Sequence, residues 1–387
     1  MTELTISEFA KSHGEPAWLV AKREVASDIY CSLPLSAQQR PYQMTNPKLT
    51  AVTVNNDNLA PQHLKQQGVI MMDLFAAAQE YPTLIQENLM EKTIPWRDNA
   101  LNARHLAYLT TGAFIFLPSN TICNEPINLT NFIDHTQLEK HLLIIAGANA
   151  EATFTFNDCG TTPKKDCLMV EVLLGDNAHI KYFDENNAKS EYHHRVLNAY
   201  LARNATLHTF VGLFNAHNTL YDSSFSLDGE QSEGYLNVVS LGMNTQQQNV
   251  NAEIINHGRN THGEIQARGI VAERAKTNFH TNGVITKNGY GAYSDQASRL
   301  LTLDSTSQGQ VDPILLIDNY DVVAGHAASV GKVNADQLYY LNSRGIPLRQ
   351  AKLLLTRGFL LPLIDAFPNE QMRKQMLDKL EGRFNVR

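Results

Sequence analysis

Three stretches of the chain fall into register on a recurring Asn-Ala pair: NAEATFTF (Asn149–Phe156), NAHIKYFD (Asn177–Asp184) and NATLHTFV (Asn204–Val211). Three positions beyond each asparagine stand Ala152, Ile180 and Leu207, and five beyond stand Phe154, Tyr182 and Thr209. Between them lie Glu151, His179 and Thr206, then Thr153, Lys181 and His208. That alternation describes a strand with one face turned inward and one outward, written three times. The asparagines are spaced 28 and 27 residues apart, and a unit that returns to one register at this period is what a stacked solenoid needs. Asparagine suits the corner of such a coil. It tolerates a left-handed backbone, and its amide can bond the asparagine of the coil above or below. A β-sandwich with coincidental turns is the competing fold, but the fixed period favours a mainly β protein built as a parallel β-helix. Beyond about residue 230 the Asn-Ala mark fades, although strand-like runs continue through EIQARGIV and FHTNGVI.

On either side of this core the pattern changes. Residues 1–125 read as a mixed, helical region. Asp73 is placed to cap a helix carrying Leu74, Ala77 and Ala78 on one face, and Pro82 breaks it and opens the next turn. Ala113–Leu117 (AFIFL), closed by Pro118, reads as a strand. After a β-helix core at 126–333, residues 334–387 take up helical periodicity. Asn334 with Gln337 resembles a capping box, Gly345 suits the position after a helix, and Pro347 suits the first position of the next. Leu348, Ala351, Leu355 and Phe359 then mark one apolar stripe, and a last helix is expected over Glu370–Leu380, ahead of Gly382.

Composition narrows the function. A 387-residue chain with 43% hydrophobic and 18% charged residues has ample core. It contains no 18-residue apolar run for a membrane span, and its opening lacks the basic and apolar regions of a secretory signal. A formal charge of −7 argues against nucleic acid as a partner. The four cysteines, Cys31, Cys123, Cys159 and Cys167, form no CxxC pair and no disulfide framework. The spacing of Cys159 and Cys167 suits adjacent strands, but nothing completes a metal site there, so buried or incidental reduced thiols and a cytoplasmic protein are expected.

Motif-like stretches fail on inspection. In GHAASVGK, five residues separate Gly325 from Gly331 and Val333 stands where a phosphate loop carries Ser or Thr. GYGAYS lacks the third glycine of a dinucleotide fingerprint. His193 and His194 are adjacent and so face opposite sides of a strand, and His179 and His208 fall on the polar face of the repeat as solvated histidines. His326 sits in a Gly/Ala turn at the junction of solenoid and helices, where an imidazole could bind iron or zinc; one ligand alone holds no metal tightly.

The run DVVAGHAASVGKVNADQLYYLNSRGIPLRQAKLLLTRGF (Asp321–Phe359) resembles the closing signature of the SufB/SufD family, scaffold subunits of iron–sulfur cluster assembly. GEPAW (Gly14–Trp18), GVIMMDL (Gly68–Leu74), FIFLPSN (Phe114–Asn120), and the runs Ile255–Val271 and Ser294–Asp318 look like further family landmarks. The resemblance implies a right-handed parallel β-helix between an N-terminal helical region and C-terminal helices, and a non-catalytic role. Within the family the chain is more similar to the SufD type, because it has no cysteine after Cys167. By resemblance its partners are a SufB-like subunit and a SufC-like ATPase, the latter docking on Tyr340, Ser343, Arg344, Gly345, Ala351 and Phe359. His326 matches a histidine implicated in some relatives as a ligand to iron or the nascent cluster at the subunit interface. A cysteine of other relatives falls at Ala324, which excludes a thiolate there. No stably bound cofactor is implied, only transient iron or cluster, and monomer or homodimer stays open for the isolated chain. Two rivals remain: a polysaccharide-active β-helix enzyme, for which no paired acids are visible, and a self-associating solenoid whose helices merely cap it.

Overall fold

The computed structural model describes residues 4–44, 49, 57–162, 164–365 and 370–385. Its strands run in chain order as β1 (Ile70–Asp73), β2 (Thr111–Leu117), β3 (Ile127–Asn128), β4 (Glu139–Ala146), β5 (Glu151–Asp158), β6 (Lys165–Leu174), β7 (His179–Asn186) and β8 (Tyr192–Leu201). They continue as β9 (Thr206–Leu213), β10 (Asn218–Leu227), β11 (Glu233–Gly242), β12 (Gln247–Asn256), β13 (His262–Val271), β14 (Lys276–Ile285), β15 (Tyr293–Thr302), β16 (Gln308–Ile317) and β17 (Val323–Lys332). Even-numbered strands form one sheet and odd-numbered strands the other, with β1 added to the edge of the even sheet. Every neighbour from β2 onward is parallel, and only β1 pairs antiparallel, on β2. Each coil therefore gives one strand to each sheet, which is the wiring of a parallel β-helix.

The register is the one that the repeat predicts. Ala152 pairs with Ile180 and Ile180 with Leu207, while Phe154 pairs with Tyr182 and Tyr182 with Thr209. At the corner, Asn149, Asn177 and Asn204 adopt φ of 59°, 57° and 54°, the left-handed region. Their amides form the expected ladder: Asn149 Nδ2 donates to Asn120 Oδ1 at 2.8 Å, Asn177 to Asn149 at 3.0 Å and Asn204 to Asn177 at 2.9 Å. The corner persists past residue 230 in other residue types. Gln231 and Asn260 keep φ of 59° and 53°, and Gly291 has φ of 70°. The residues that follow, Ser232, Thr261 and Ala292, stay small and buried.

Three apolar layers result. The lumen between the sheets is filled by side chains such as Leu142, Val170, Leu197, Phe225 and Phe279. On the outer face of the even sheet, Leu143, Met169 and Val196 pack under the N-terminal helices α1 (Ile6–His13), α2 (Ala17–Ser32), α4 (Leu74–Glu80), α5 (Pro82–Asn88) and α6 (Ala100–Tyr108), whereas Leu64 of α3 (Gln62–Lys65) joins the lumen cluster. Asp73 caps α4, accepting from the N–H groups of Phe75 and Ala76 at 2.8 and 3.2 Å, and Pro82 opens α5. The outer face of the odd sheet carries Phe210, Val239 and Ile270, which meet α8 (Leu348–Ile364) and α9 (Glu370–Asn385), while α7 (Ala335–Ser343) buries no residue and packs on α8.

The C-terminal helices depart from expectation in detail. Asn334 caps α7 by accepting from Asp336 and Gln337, and Gly345 follows with φ of 82°. Pro347, however, is the N-cap of α8 rather than its first residue. The buried stripe of α8 runs through Ala351, Thr356, Leu360, Leu363 and Ile364, with Leu355 and Phe359 half-buried and Leu348 exposed. The face is rotated because α8 packs against the odd sheet and α7 at once. α9 runs on through Gly382 to Asn385. Cys159 follows a strand of the odd sheet while Cys167 lies in the even sheet, so they are not neighbours across adjacent strands. His208 is half-buried rather than solvated, its ring stacked 4.2 Å from that of Tyr235.

Candidate functional site

Where the solenoid stops, its inner surface comes to light. β16 and β17 each have one strand partner, β14 and β15. In β12 and β14 burial alternates regularly, but along β16 and β17 it is lost and every residue is half or fully exposed. Ile314, Leu316, Ile317, Val323 and Val330 are 43–63% exposed, and Tyr320 is fully so. Two parallel ten-residue edges with apolar side chains are an unusual thing to leave bare, because each edge offers a row of backbone donors and acceptors to another strand.

His326 belongs to this rung. It lies within strand β17, not in the turn expected from its glycine and alanine neighbours. Its register partner is Gln296, whose buried side chain reaches the Ile314 carbonyl at 2.8 Å. Side-chain alternation thus places His326 on the lumen side of the last rung, exposed at the open end.

Tyr340, Ser343, Arg344 and Gly345 gather at the exposed end of α7, with the Arg344 guanidinium 5.3 Å from the centre of the Tyr340 ring. Tyr339, Tyr340, Leu348, Leu354 and Leu361 are all more than a third exposed, which makes an apolar surface on α7 and α8. A shallow dimple of about 340 Å³ beside Tyr340 and Leu355 lies on it. Ala351 is fully buried and unavailable to a partner. Phe359 packs on the solenoid: its carbonyl accepts from Arg268 Nη1 at 2.7 Å and its ring lies 5.7 Å from that guanidinium.

The sequence reading missed the buried charge. Among the described residues, His, Cys, Asp and Glu side chains converge in two buried groups, Asp158–Asp166–His193 in the lumen and His105–Glu139–Cys167 outside the even sheet. In the lumen group a lysine stands where a metal would sit: Lys140 Nζ is 2.6 Å from Asp166 and 3.4 Å from Asp158. Burial disfavours the Asp166 carboxylate, but His193 and Lys140 outweigh it and bring its pKa down to about 2. Next to them Arg195 Nε donates to Asp184 at 3.0 Å. This is an ion-paired plug within the lumen.

Comparison with known proteins fits this geometry. The family model described as "SUF system FeS cluster assembly, SufBD core domain" matches residues 129–359, which run from the first coils through the terminal rung to α8. The chain is 31% identical to the iron–sulfur cluster assembly protein SufD of Bacillus subtilis, over 97% of this chain and 96% of that protein. The chain belongs to the SufBD family. SufBD family proteins of Synechocystis and of the Arabidopsis thaliana chloroplast are each 27% identical over 90% of this chain, covering 76% and 66% of their own lengths. This SufBD family member is thus SufD-like, an iron–sulfur cluster assembly protein. None of its described helices is long and apolar enough to cross a membrane.

Proposed function

We propose that the chain is a non-catalytic scaffold subunit. It pairs with a SufB-like subunit across β16 and β17, carries a SufC-like ATPase on the exposed surface of α7 and α8, and offers His326 as a ligand to iron or a nascent cluster, its transient cargo, at the subunit junction. The observation that supports this most is the bare terminal rung. A second β-helix of matching cross-section satisfies both strand edges at once, covers the exposed Leu316 and Val330, and closes a shielded space around His326. An imidazole there is a borderline ligand suited to iron, and ligands from the facing subunit complete the set that one histidine cannot supply.

The test separates the parts. Leu316→Asp with Val330→Asp, both on exposed positions, should abolish co-purification with the SufB-like subunit and leave the chain folded. Tyr340→Ala with Arg344→Ala should weaken capture of the ATPase alone. His326→Ala should leave the complex intact and reduce cluster formation on it in reconstitution. Unchanged cluster yield in the last variant removes His326 from the reading, and persistent pairing in the first removes the terminal rung.

A further inference from the structure

A second set of metal-ligating side chains lies outside the solenoid, beneath the N-terminal helices and separate from the terminal rung. Glu139, Cys167 and His194 are register partners on β4, β6 and β8, and His105 reaches down to them from α6. All four are at most 1% exposed. We propose that His105, Glu139, Cys167 and His194 form a closed binding site for a borderline divalent transition ion of the zinc class, which fastens α6 to the even sheet.

The donors are spaced for it. One ligand atom each from His105, Glu139 and Cys167 lies within 4.8 Å of the others. His105 Nδ1 is 2.8 Å from Glu139 Oε2, and Cys167 Sγ is 3.6 Å from His194 Nδ1. Tetrahedral zinc with bonds of about 2.0 to 2.3 Å sets its donors about 3.3 to 3.8 Å apart; Cys167 and His194 already stand at that spacing, and His105 and Glu139 stand closer than it. Two nitrogens, one carboxylate oxygen and one thiolate suit zinc or cobalt rather than magnesium or calcium.

The surroundings are those of a metal site. Imidazole ligands usually hand their far nitrogen to a carboxylate or another acceptor, which fixes tautomer and ring orientation. Here His194 Nε2 lies 2.9 Å from Asp222. His105 Nε2 lies 3.0 Å from His141 Nδ1, and His141 Nε2 lies 3.1 Å from Glu171. Arg104 Nε, 2.7 Å from Glu139 Oε1, holds the other carboxylate oxygen. Each near nitrogen faces the cluster and each far one is anchored.

Charge points the same way. With neutral imidazoles, Glu139 and Glu171 outnumber Arg104 by one buried negative charge. A divalent ion that displaces the Cys167 proton to solvent leaves the cluster neutral. A groove of about 630 Å³ lined by Asp222, Asn102 and Thr93 reaches the outer partner of His194 without being lined by any of the four donors. Four protein donors leave no open position, so the role is structural.

The experiment uses the full chain without a histidine tag, stripped with chelator and titrated with Co²⁺. One equivalent should bind, with a thiolate-to-cobalt charge-transfer band and tetrahedral d–d absorption, and Zn²⁺ should displace it. Cys167→Ser should remove the charge-transfer band. Asp222→Asn leaves all four donors in place and should weaken binding by about 10- to 100-fold. His326→Ala should leave the spectrum unchanged, which keeps this site distinct from the proposed cluster ligand. Absence of stoichiometric uptake overturns the proposal, as does a charge-transfer band that survives Cys167→Ser. Should Cys167→Ser not fold, unchanged cobalt affinity in Asp222→Asn overturns it equally.

Discussion

His193 and His194 are neighbours in the chain and belong to different compartments: His193 Nδ1 lies 2.7 Å from Asp166 in the lumen, while His194 Nε2 lies 2.9 Å from Asp222 under the N-terminal helices. One strand, β8, thus contributes to two buried polar networks at once. The lumen network stands on Lys140, whose ammonium is held well above its usual pKa: burial opposes the charge, but Asp158 and Asp166 outweigh it. Lys140→Met leaves two buried carboxylates without their cation and should cost about 3 to 5 kcal/mol. Adding Asp166→Asn should return part of that loss. Urea denaturation of the single and double variants measures both, and a single variant as stable as the parent would show that Lys140 does not stabilise the buried carboxylates.

The corner ladder makes a separable prediction. Asn177→Ala should lose about 1 to 2 kcal/mol to the left-handed backbone and about 1 kcal/mol more from the amide bonds to Asn149 and Asn204. Asn177→Gly should recover the backbone share only. If alanine and glycine prove equally stable in denaturant titrations, φ at this corner is not what selects asparagine.

Asp73 gives a pH dependence of unusual sign. Burial raises its carboxyl to about 6, although the N–H groups of Ala76 and Phe75 favour the charged form. A native pKa above the unfolded value near 4 means that the folded chain holds the proton more tightly. This contribution is fully present below about pH 4 and is lost as the pH rises through about 6. Asp73→Asn, which keeps the cap acceptor, should therefore stabilise the protein at pH 7 by about 2 kcal/mol and change little at pH 4. Thermal or chemical unfolding at the two pH values decides it, and an equal effect at both would be a refutation.

The C-terminal helices are held to the solenoid by few polar contacts, chiefly Arg268 to the Phe359 carbonyl at 2.7 Å and Lys352 to Asp304 at 2.6 Å. Arg268→Ala with Lys352→Ala should weaken the docking of α8 by about 1 to 2 kcal/mol. Hydrogen exchange should then quicken in α8 and α9 while β10 to β14 keep their protection. Uniform exchange across both regions would mean that the helices and coils open as one unit.

The fold was legible because a coil must repeat its register, and Asn149, Asn177 and Asn204 mark it in one residue type. The later coils were harder to see because Gln231, Asn260 and Gly291 meet the same backbone demand with different side chains. The exposed end of α7 could be read from Asn334, Gly345 and the run between them. The rotation of α8 could not, since it depends on a sheet formed far away in sequence. The placement of His326 failed for a related reason: Gly325 and Ala327 suggest a turn locally, but parallel pairing with β15 overrides that preference. The buried networks left one signal that went unused. Glu139, Lys140 and His141 are consecutive at the start of a strand that is buried on both faces, so each must be matched by charge on its own side. Their partners, Arg104, Asp166 and Glu171, come from other elements, and no spacing rule links them.

Phe210, Val239 and Ile270, which receive α8 and α9, sit on three successive coils. The interstrand hydrogen bonds of both sheets run lengthwise, from coil to coil. A sideways push on the helices therefore loads several coils together and cannot peel one away from the next. Movement delivered at the C-terminal helices would be shared among these coils rather than taken up by any one of them.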